Sequence, residues 1–210
     1  MPNVLFYDNH LLVLDKPAGI LTQPDGSSTP SLEEEGKQWI KEKFARPGNV
    51  FLEAAHRLDK PVSGIVLFAR TSKALSRLNA SQREKKWKKE YLAWVSGSLE
   101  KKEGTLTHYL VHGSFRAHLS HPEDPGAKKC LLSYRVTEEE KGRSLIHIEL
   151  QTGRYHQIRA QLAAIGHPIL GDLKYGGIDF PRLALHHFRL SFPHPTTQKI
   201  LIFASPFGGS

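Results

Sequence analysis

The stretch His56-Arg57-Leu58-Asp59-Lys60-Pro61-Val62-Ser63-Gly64-Ile65-Val66-Leu67-Phe68-Ala69, residues 56–69, carries both the fold signal and the chemistry signal of the chain. Its first half crowds ionisable residues around a proline and a glycine, which reads as a turn. Its second half, Ile65–Ala69, is a continuous apolar run, the pattern of a strand buried on both faces. Working outward, Ala74, Leu75 and Leu78 share one face of a helix that opens near Ser72. Upstream, Val4–Tyr7 and Leu11–Leu14 read as two strands around a turn at Asp8-Asn9. A polar Gly/Pro/Ser-rich loop spans Pro24 to Pro30. Ser31 with Glu34 then forms a capping-box pattern for a helix through Trp39, Ile40 and Phe44, weakened by Gly36. Tyr91–Val95, Leu106–Val111, Leu131–Val136, Leu145–Leu150, Leu185–Phe192 and Ile200–Ala204 read as further strands. A last helix is expected from Tyr155 to Ile165, with Ile158, Leu162 and Ile165 as its stripe and Gly166 and Pro168 as its stop. Many strands, few helices and no regular alternation imply an α+β domain, residues 1–210, with a mixed, mainly antiparallel sheet flanked by helices.

Charge narrows the function. Lys and Arg number 29 against 21 Asp and Glu, giving a net charge of +8, and a basic surface attracts polyanions such as RNA. The single cysteine, Cys130, rules out an internal disulfide or a cysteine-based zinc site and suits a reducing compartment. The N-terminus lacks a basic start followed by an apolar run, and no stretch reaches the roughly 18 apolar residues of a membrane span. The expected setting is therefore cytoplasmic, with no membrane partner.

Within the 56–69 stretch, Asp59 is either a turn carboxylate or a nucleophile. The second role needs a permanent cation nearby to keep the carboxylate ionised, and arginine supplies one at any physiological pH. A candidate lies in Thr152-Gly153-Arg154-Tyr155-His156-Gln157-Ile158-Arg159. Arg159 sits at the edge of the apolar stripe, so its stem can pack while its head reaches an internal carboxylate. Arg154 sits at the expected helix start, where unpaired N–H groups favour a phosphate. Either arginine is equally readable as a surface residue on pattern alone.

Together these segments resemble the RluA family of pseudouridine synthases. The resemblance is carried by His56-Arg57-Leu58-Asp59 with Ser63-Gly64, by Lys89-Glu90-Tyr91, and by Thr152 through Arg159. The Leu11-to-Gly19 stretch, Gly166-His167-Pro168-Ile169-Leu170-Gly171-Asp172, and Leu185-His186 through His194-Pro195 look like that family too, so nearly the whole chain is covered in order. Val62 departs from the threonine many members carry, and the small RNA-binding domain many relatives carry ahead of the catalytic part is expected to be missing, because the strand pattern begins at Val4. The resemblance implies a cofactor-independent isomerase acting on uridines in structured ribosomal or transfer RNA. The missing extension suits a small stem-loop target, and a monomer is the default for a compact nucleic-acid enzyme, with no metal expected. It implies that Asp59 attacks the uridine at C1′ or at C6, so that the base detaches, rotates and rejoins through C5. It implies that Arg159 pairs with Asp59, that Tyr91 stacks on the base and assists proton removal at C5, and that Arg57 fills the space of the flipped nucleotide. His56, Leu58, Arg154, His156, Gln157 and Ile158 complete the implied substrate-binding set, His56 as a shaper of the loop.

The residues themselves add that glycoside hydrolysis commonly uses two carboxylates. The 56–64 segment offers one carboxylate among cations, which favours isomerisation, although Asp172 could approach in space. Twelve histidines invite a metal reading, but His108, His112, His118 and His121 lack ligand spacing on one element. No Walker, Gly-x-Gly-x-x-Gly or Gly-x-Ser-x-Gly motif is present. The block Arg83–Lys89 is either a solvated face or an RNA-backbone contact, with Trp87 either core or stacking platform. A non-catalytic RNA-binding protein or chaperone is the main alternative, and an RNA glycosidase releasing uracil a further one.

Overall fold

A computed structural model describes residues 1–45 and 47–208. They form eleven strands and three α-helices in two compact units, one made of 1–88 with 187–207, the other chiefly of 89–186. The α+β class expected from the sequence holds. Eight strand pairings within the two units are antiparallel, and an isolated parallel bridge joins Leu21 to Ser31.

In the first unit β1 (Asn3–Tyr7), β2 (Leu11–Lys16), β4 (Ser63–Ala69) and β10 (Leu185–Pro193) lie side by side in that order; β11 (Ile200–Ala204) pairs with β10, and the two-residue β3 (Glu53–Ala54) with β4. All seven residues of β4 are buried, as are Leu11 to Leu14 of β2. Period-two geometry explains this continuous run. Leu11 and Val13 join Ile65, Leu67, Leu190 and Phe192 under α2 (Ser72–Arg83), whose Ala74 and Leu78 enter the same cluster. Leu12 and Leu14 face the other way, toward α1 (Leu32–Phe44). Gly36 gives α1 its close approach, since a Cβ there would come 2.7 Å from Leu52 Cδ2 and 3.3 Å from Leu12 and Leu14. The residue that weakens the helix in isolation lets it pack. The capping box forms as expected: Glu34 N–H donates to Ser31 Oγ at 3.3 Å and Ser31 N–H to Glu34 Oε2 at 3.2 Å.

In the second unit β5 (Lys88–Ser96), β9 (Arg143–Leu150), β8 (Lys128–Glu140), β6 (Glu103–His112) and β7 (Ala117–Ser120) follow one another in space. β9 alternates strictly between buried and half-buried residues, as a strand with one core face should. β8 and β9 extend beyond their apolar stretches because the polar Glu138–Glu140 still pair with Arg143–Leu145. α3 (Gln157–Ala164) begins two residues later than its periodicity predicts. His156 adopts a left-handed conformation (φ 53) and the Gln157 N–H bonds back to the Arg154 carbonyl at 3.1 Å, so 154–157 is a turn that feeds the helix. Ala160 packs with Leu110, Ala117 and Cys130, and Gln161 donates to the Leu106 carbonyl at 3.1 Å, anchoring α3 to β6 and β8.

Candidate active site

Asp59 occupies a tight turn closed by the Val62 N–H donating to its carbonyl at 3.0 Å. The turn is pinned by neighbours in its own unit. Thr22 Oγ1 donates to the Leu58 carbonyl at 2.9 Å and accepts from the Leu58 N–H at 3.1 Å. The Lys60 carbonyl accepts from the Gly19 N–H at 2.9 Å and from Lys16 Nζ at 3.0 Å. Lys16 is only 1% exposed, and its ammonium also bonds the Ile20 and Pro17 carbonyls at 2.7 and 3.1 Å. Burial lowers its pKa to about 8, partly opposed by the negative charge of Asp59. The carboxylate of Asp59 is half-buried and Arg57 is exposed, whereas Leu58 is buried beneath them.

His56 stands behind this turn. Its Nε2 accepts the Leu67 N–H at 3.2 Å, and its ring meets Trp87 and His187 edge-on, with centroids 5.9 and 5.3 Å away. A ring nitrogen that accepts a backbone N–H is unprotonated at that atom, so His56 Nε2 is tied to the β4 backbone. Trp87 resolves into core. It is 8% exposed and its Nε1 donates to Ser81 Oγ at 2.8 Å, while Arg83, Lys85, Lys86 and Lys88 around it are exposed.

The second unit holds the remaining residues singled out in the sequence. Tyr91 is buried on β5 opposite Ile148, and its neighbour Glu90 meets His147 Nε2 at 2.8 Å. Arg154 and Tyr155 are exposed on the turn before α3. Gln157 is 2% exposed and its amide is fully engaged inside the protein. Its oxygen accepts from Thr152 Oγ1 and the Arg154 N–H at 2.8 and 3.1 Å, and its nitrogen donates to the Leu131 carbonyl and Gln161 Oε1 at 3.2 and 2.9 Å. Gln157 and Ile158, both buried, therefore hold the turn that presents Arg154 and Tyr155.

Arg159 is 5% exposed and grips Asp172, itself 1% exposed, with two parallel bonds: Nε to Oδ2 at 2.7 Å and Nη2 to Oδ1 at 2.8 Å. Its guanidinium carbon lies 5.2 Å over the Tyr175 ring. The Tyr175 hydroxyl accepts the Ala117 N–H at 2.8 Å and lies 3.0 Å from His156 Nδ1. Burial, then the nearby Arg159 charge, push the His156 pKa down to about 4, so its imidazole is neutral at physiological pH. Burial raises the Tyr175 hydroxyl to about 12. Lys16, Thr22 and Tyr175 escaped the sequence reading as site residues. Each lies in or next to a quoted motif, but only a long-range contact shows what it does.

A family model described as RNA pseudouridylate synthase matches residues 10–164. The chain belongs to that family. Among its relatives, the dual-specificity RNA pseudouridine synthase RluA of Pasteurella multocida is 34% identical over 209 residues, covering 97% of this chain and 92% of that protein. YhcT of Bacillus subtilis, an uncharacterized RNA pseudouridine synthase, is 34% identical over 212 residues, 98% of this chain and 68% of that protein. In fold, the human RNA pseudouridylate synthase domain containing 4 matches with a TM-score of 0.82 at 19% identity, over 97% of this chain and 88% of that one. The chain thus carries an RluA-type RNA pseudouridine synthase catalytic region, an isomerase that acts on RNA. An enzyme of this family is not a mere binding module, so the chaperone reading gives way. Among the described residues no helix is long and apolar enough to cross a membrane.

Proposed function

We propose that this synthase isomerises specific uridines in ribosomal or transfer RNA stem-loops, with Asp59 as nucleophile and 1–210 working as one catalytic domain. The observation that carries Asp59 is its turn: a half-buried carboxylate on a loop fixed by Lys16, Gly19 and Thr22, beside an exposed Arg57. Rigidly held loops are where reacting groups gain most from orientation. Attack by Asp59 at C1′ breaks the C1′–N1 bond outright; attack at C6 first makes a base adduct. In either case the base rejoins C1′ through C5, and the C5 hydrogen leaves as a proton. No oxidant, reductant or water is consumed, so the chemistry calls for no cofactor. Tyr91 is assigned to the base and C5, Arg159 to keeping the nucleophile charged, and Arg57 to the place vacated by the flipped nucleotide, since a paired base must leave its stack first. His56, Leu58, His156, Gln157 and Ile158 support the loops, and Arg154 serves the backbone phosphates. Ribosomal substrates are supported by relatives such as the ribosomal large subunit pseudouridine synthase D of Nitrosomonas europaea, 33% identical over 222 residues. The single cysteine suits the reducing cytoplasm, and a monomer is the default for a compact nucleic-acid enzyme.

The test is tritium release from ribosomal and transfer RNA transcripts labelled at uridine C5. Wild type should release label from at least one transcript, and Asp59→Asn should release none while keeping its fold and RNA affinity. Turnover by a folded Asp59→Asn protein would remove Asp59 as nucleophile.

A further inference from the structure

The segment from Gly166 to Gly177 has no part in the roles above, yet it is built with unusual constraint. The Asp172 carbonyl accepts the N–H groups of Tyr175 and Gly177 at 3.0 and 2.9 Å, and the Asp172 N–H donates to the Ile169 carbonyl at 3.1 Å. Gly177 leaves no room for a side chain, because a Cβ there would lie 2.9 Å from the Asp172 nitrogen and 3.2 Å from its oxygen. Gly171 has φ +75, a conformation that disfavours any side chain. This loop fixes the position of one carboxylate and one phenol ring, and both meet Arg159.

We propose that Asp172 and Tyr175 are positioning residues for Arg159, setting the plane of its guanidinium so that Asp172 governs turnover through Arg159 and not through the substrate. This rests on the reading of Arg159 as the cation that serves the nucleophile. Two parallel bonds from Nε and Nη2 to the two Asp172 oxygens fix the guanidinium within its plane. The Tyr175 ring at 5.2 Å limits motion out of that plane. Tyr175 is in turn tied to the β7 backbone through the Ala117 N–H at 2.8 Å. The pairing with Asp172 uses two of the five guanidinium donors, both on one edge. Asp172 is not placed as a proton donor. Both its oxygens are engaged by a permanent cation, and it is 1% exposed. It is therefore not the second carboxylate that glycoside hydrolysis would require.

The experiment is a kinetic cycle by C5 tritium release on a transcript that wild type modifies, using Asp172→Asn, Arg159→Lys and the double variant, with thermal unfolding and RNA binding measured alongside. A shift of a catalytic group by about 1 Å can cost on the order of 10²-fold. Asp172→Asn should lower kcat by roughly 10- to 100-fold while KM moves by less than about threefold. In the Arg159→Lys background the same change should add less than about a further threefold, because the group it positions is already gone. Should Asp172→Asn fail to fold, Tyr175→Leu replaces it in the same cycle with the same expectation. Losses that multiply in the double variant would mean that Asp172 acts independently of Arg159 and would overturn the proposal, as would a normal kcat for folded Asp172→Asn beside a slow Arg159→Lys. A wild-type kcat for Arg159→Lys would instead remove the reading of Arg159 itself, and the proposal with it.

Discussion

The Asp59 turn and the Arg159 network carry opposite charges and are held by opposite means. Asp59 stays half-buried, and its supports act on backbone atoms: Thr22 on Leu58, Gly19 and Lys16 on the Lys60 carbonyl. Arg159 is buried, and its supports act on the side chain itself, through the Asp172 carboxylate and the Tyr175 ring. A carboxylate that must change bonding partners gains from a fixed backbone. A cation that keeps its charge throughout can be held by its head, since a buried guanidinium would otherwise bear a large desolvation cost. Damage to the first region should therefore show as lost loop geometry, and damage to the second as lost electrostatics.

Breaking the first region at its base should have the largest effect. Gly64 opens β4 just after the turn at φ +115, and a Cβ there would lie 2.6 Å from the His187 nitrogen and 2.8 Å from its carbonyl carbon. These are backbone atoms that cannot swing aside. Gly64→Ala should destabilise by about 3 kcal/mol or more, lowering Tm by roughly 6–12 °C for a chain of this size. A thermal scan within 2 °C of wild type would mean that β4 and β10 can part without cost.

Lys16 stabilises the same turn through a buried charge. Lys16→Met keeps most of the stem and removes the donor to three carbonyls. Losing those bonds costs about 1–3 kcal/mol per orphaned group, offset by relief of the buried charge. Tm should therefore move little while kcat falls about tenfold or more. The sign with pH follows from its lowered pKa: folded Lys16 holds its proton below about 8 and loses it above. The unfolded chain keeps that proton up to its ordinary lysine pKa. This group alone therefore makes stability rise with pH above 8, while the turn it braces loses a donor. Wild-type kcat should fall as pH rises through about 8, and Lys16→Met should lack that alkaline limb. An identical limb in the variant would assign it to another group.

Local chemistry made much of this legible in advance. The Ser31–Glu34 box, the apolar runs of β2 and β4, and the turn at 56–64 each announce themselves within a few residues. β3 and β7 did not, because Glu53-Ala54 and Ala117–Ser120, two and four residues long, are too short for a pattern to stand out and take shape as partners of β4 and β6. Trp87 was ambiguous in a basic block because its deciding contact, Ser81 Oγ, lies across the end of α2. The start of α3 was misplaced because periodicity cannot see that His156 turns left-handed. Asp172 was visible as a carboxylate and Tyr175 as a ring, but their convergence on Arg159 spans 13 and 16 residues and is set by packing alone.

The second region can be probed through the same left-handed residue, with the smallest effect of the set. His156 carries a strained φ of 53 and a neutral ring beside Arg159. Its folded pKa of about 4 lies below the ordinary histidine value of 6.5, so between these limits the unfolded chain binds the extra proton. Stability from this group is fully present above 6.5 and is lost as pH falls toward 4, by up to about 3 kcal/mol. Asparagine tolerates the left-handed region and does not titrate there. His156→Asn should therefore leave Tm at pH 7.5 within a few degrees of wild type and flatten the loss between pH 6.5 and 4.5. An acid slope that survives the substitution would place the titrating group elsewhere, and would mean that the cation in this network tolerates a second positive charge beside it.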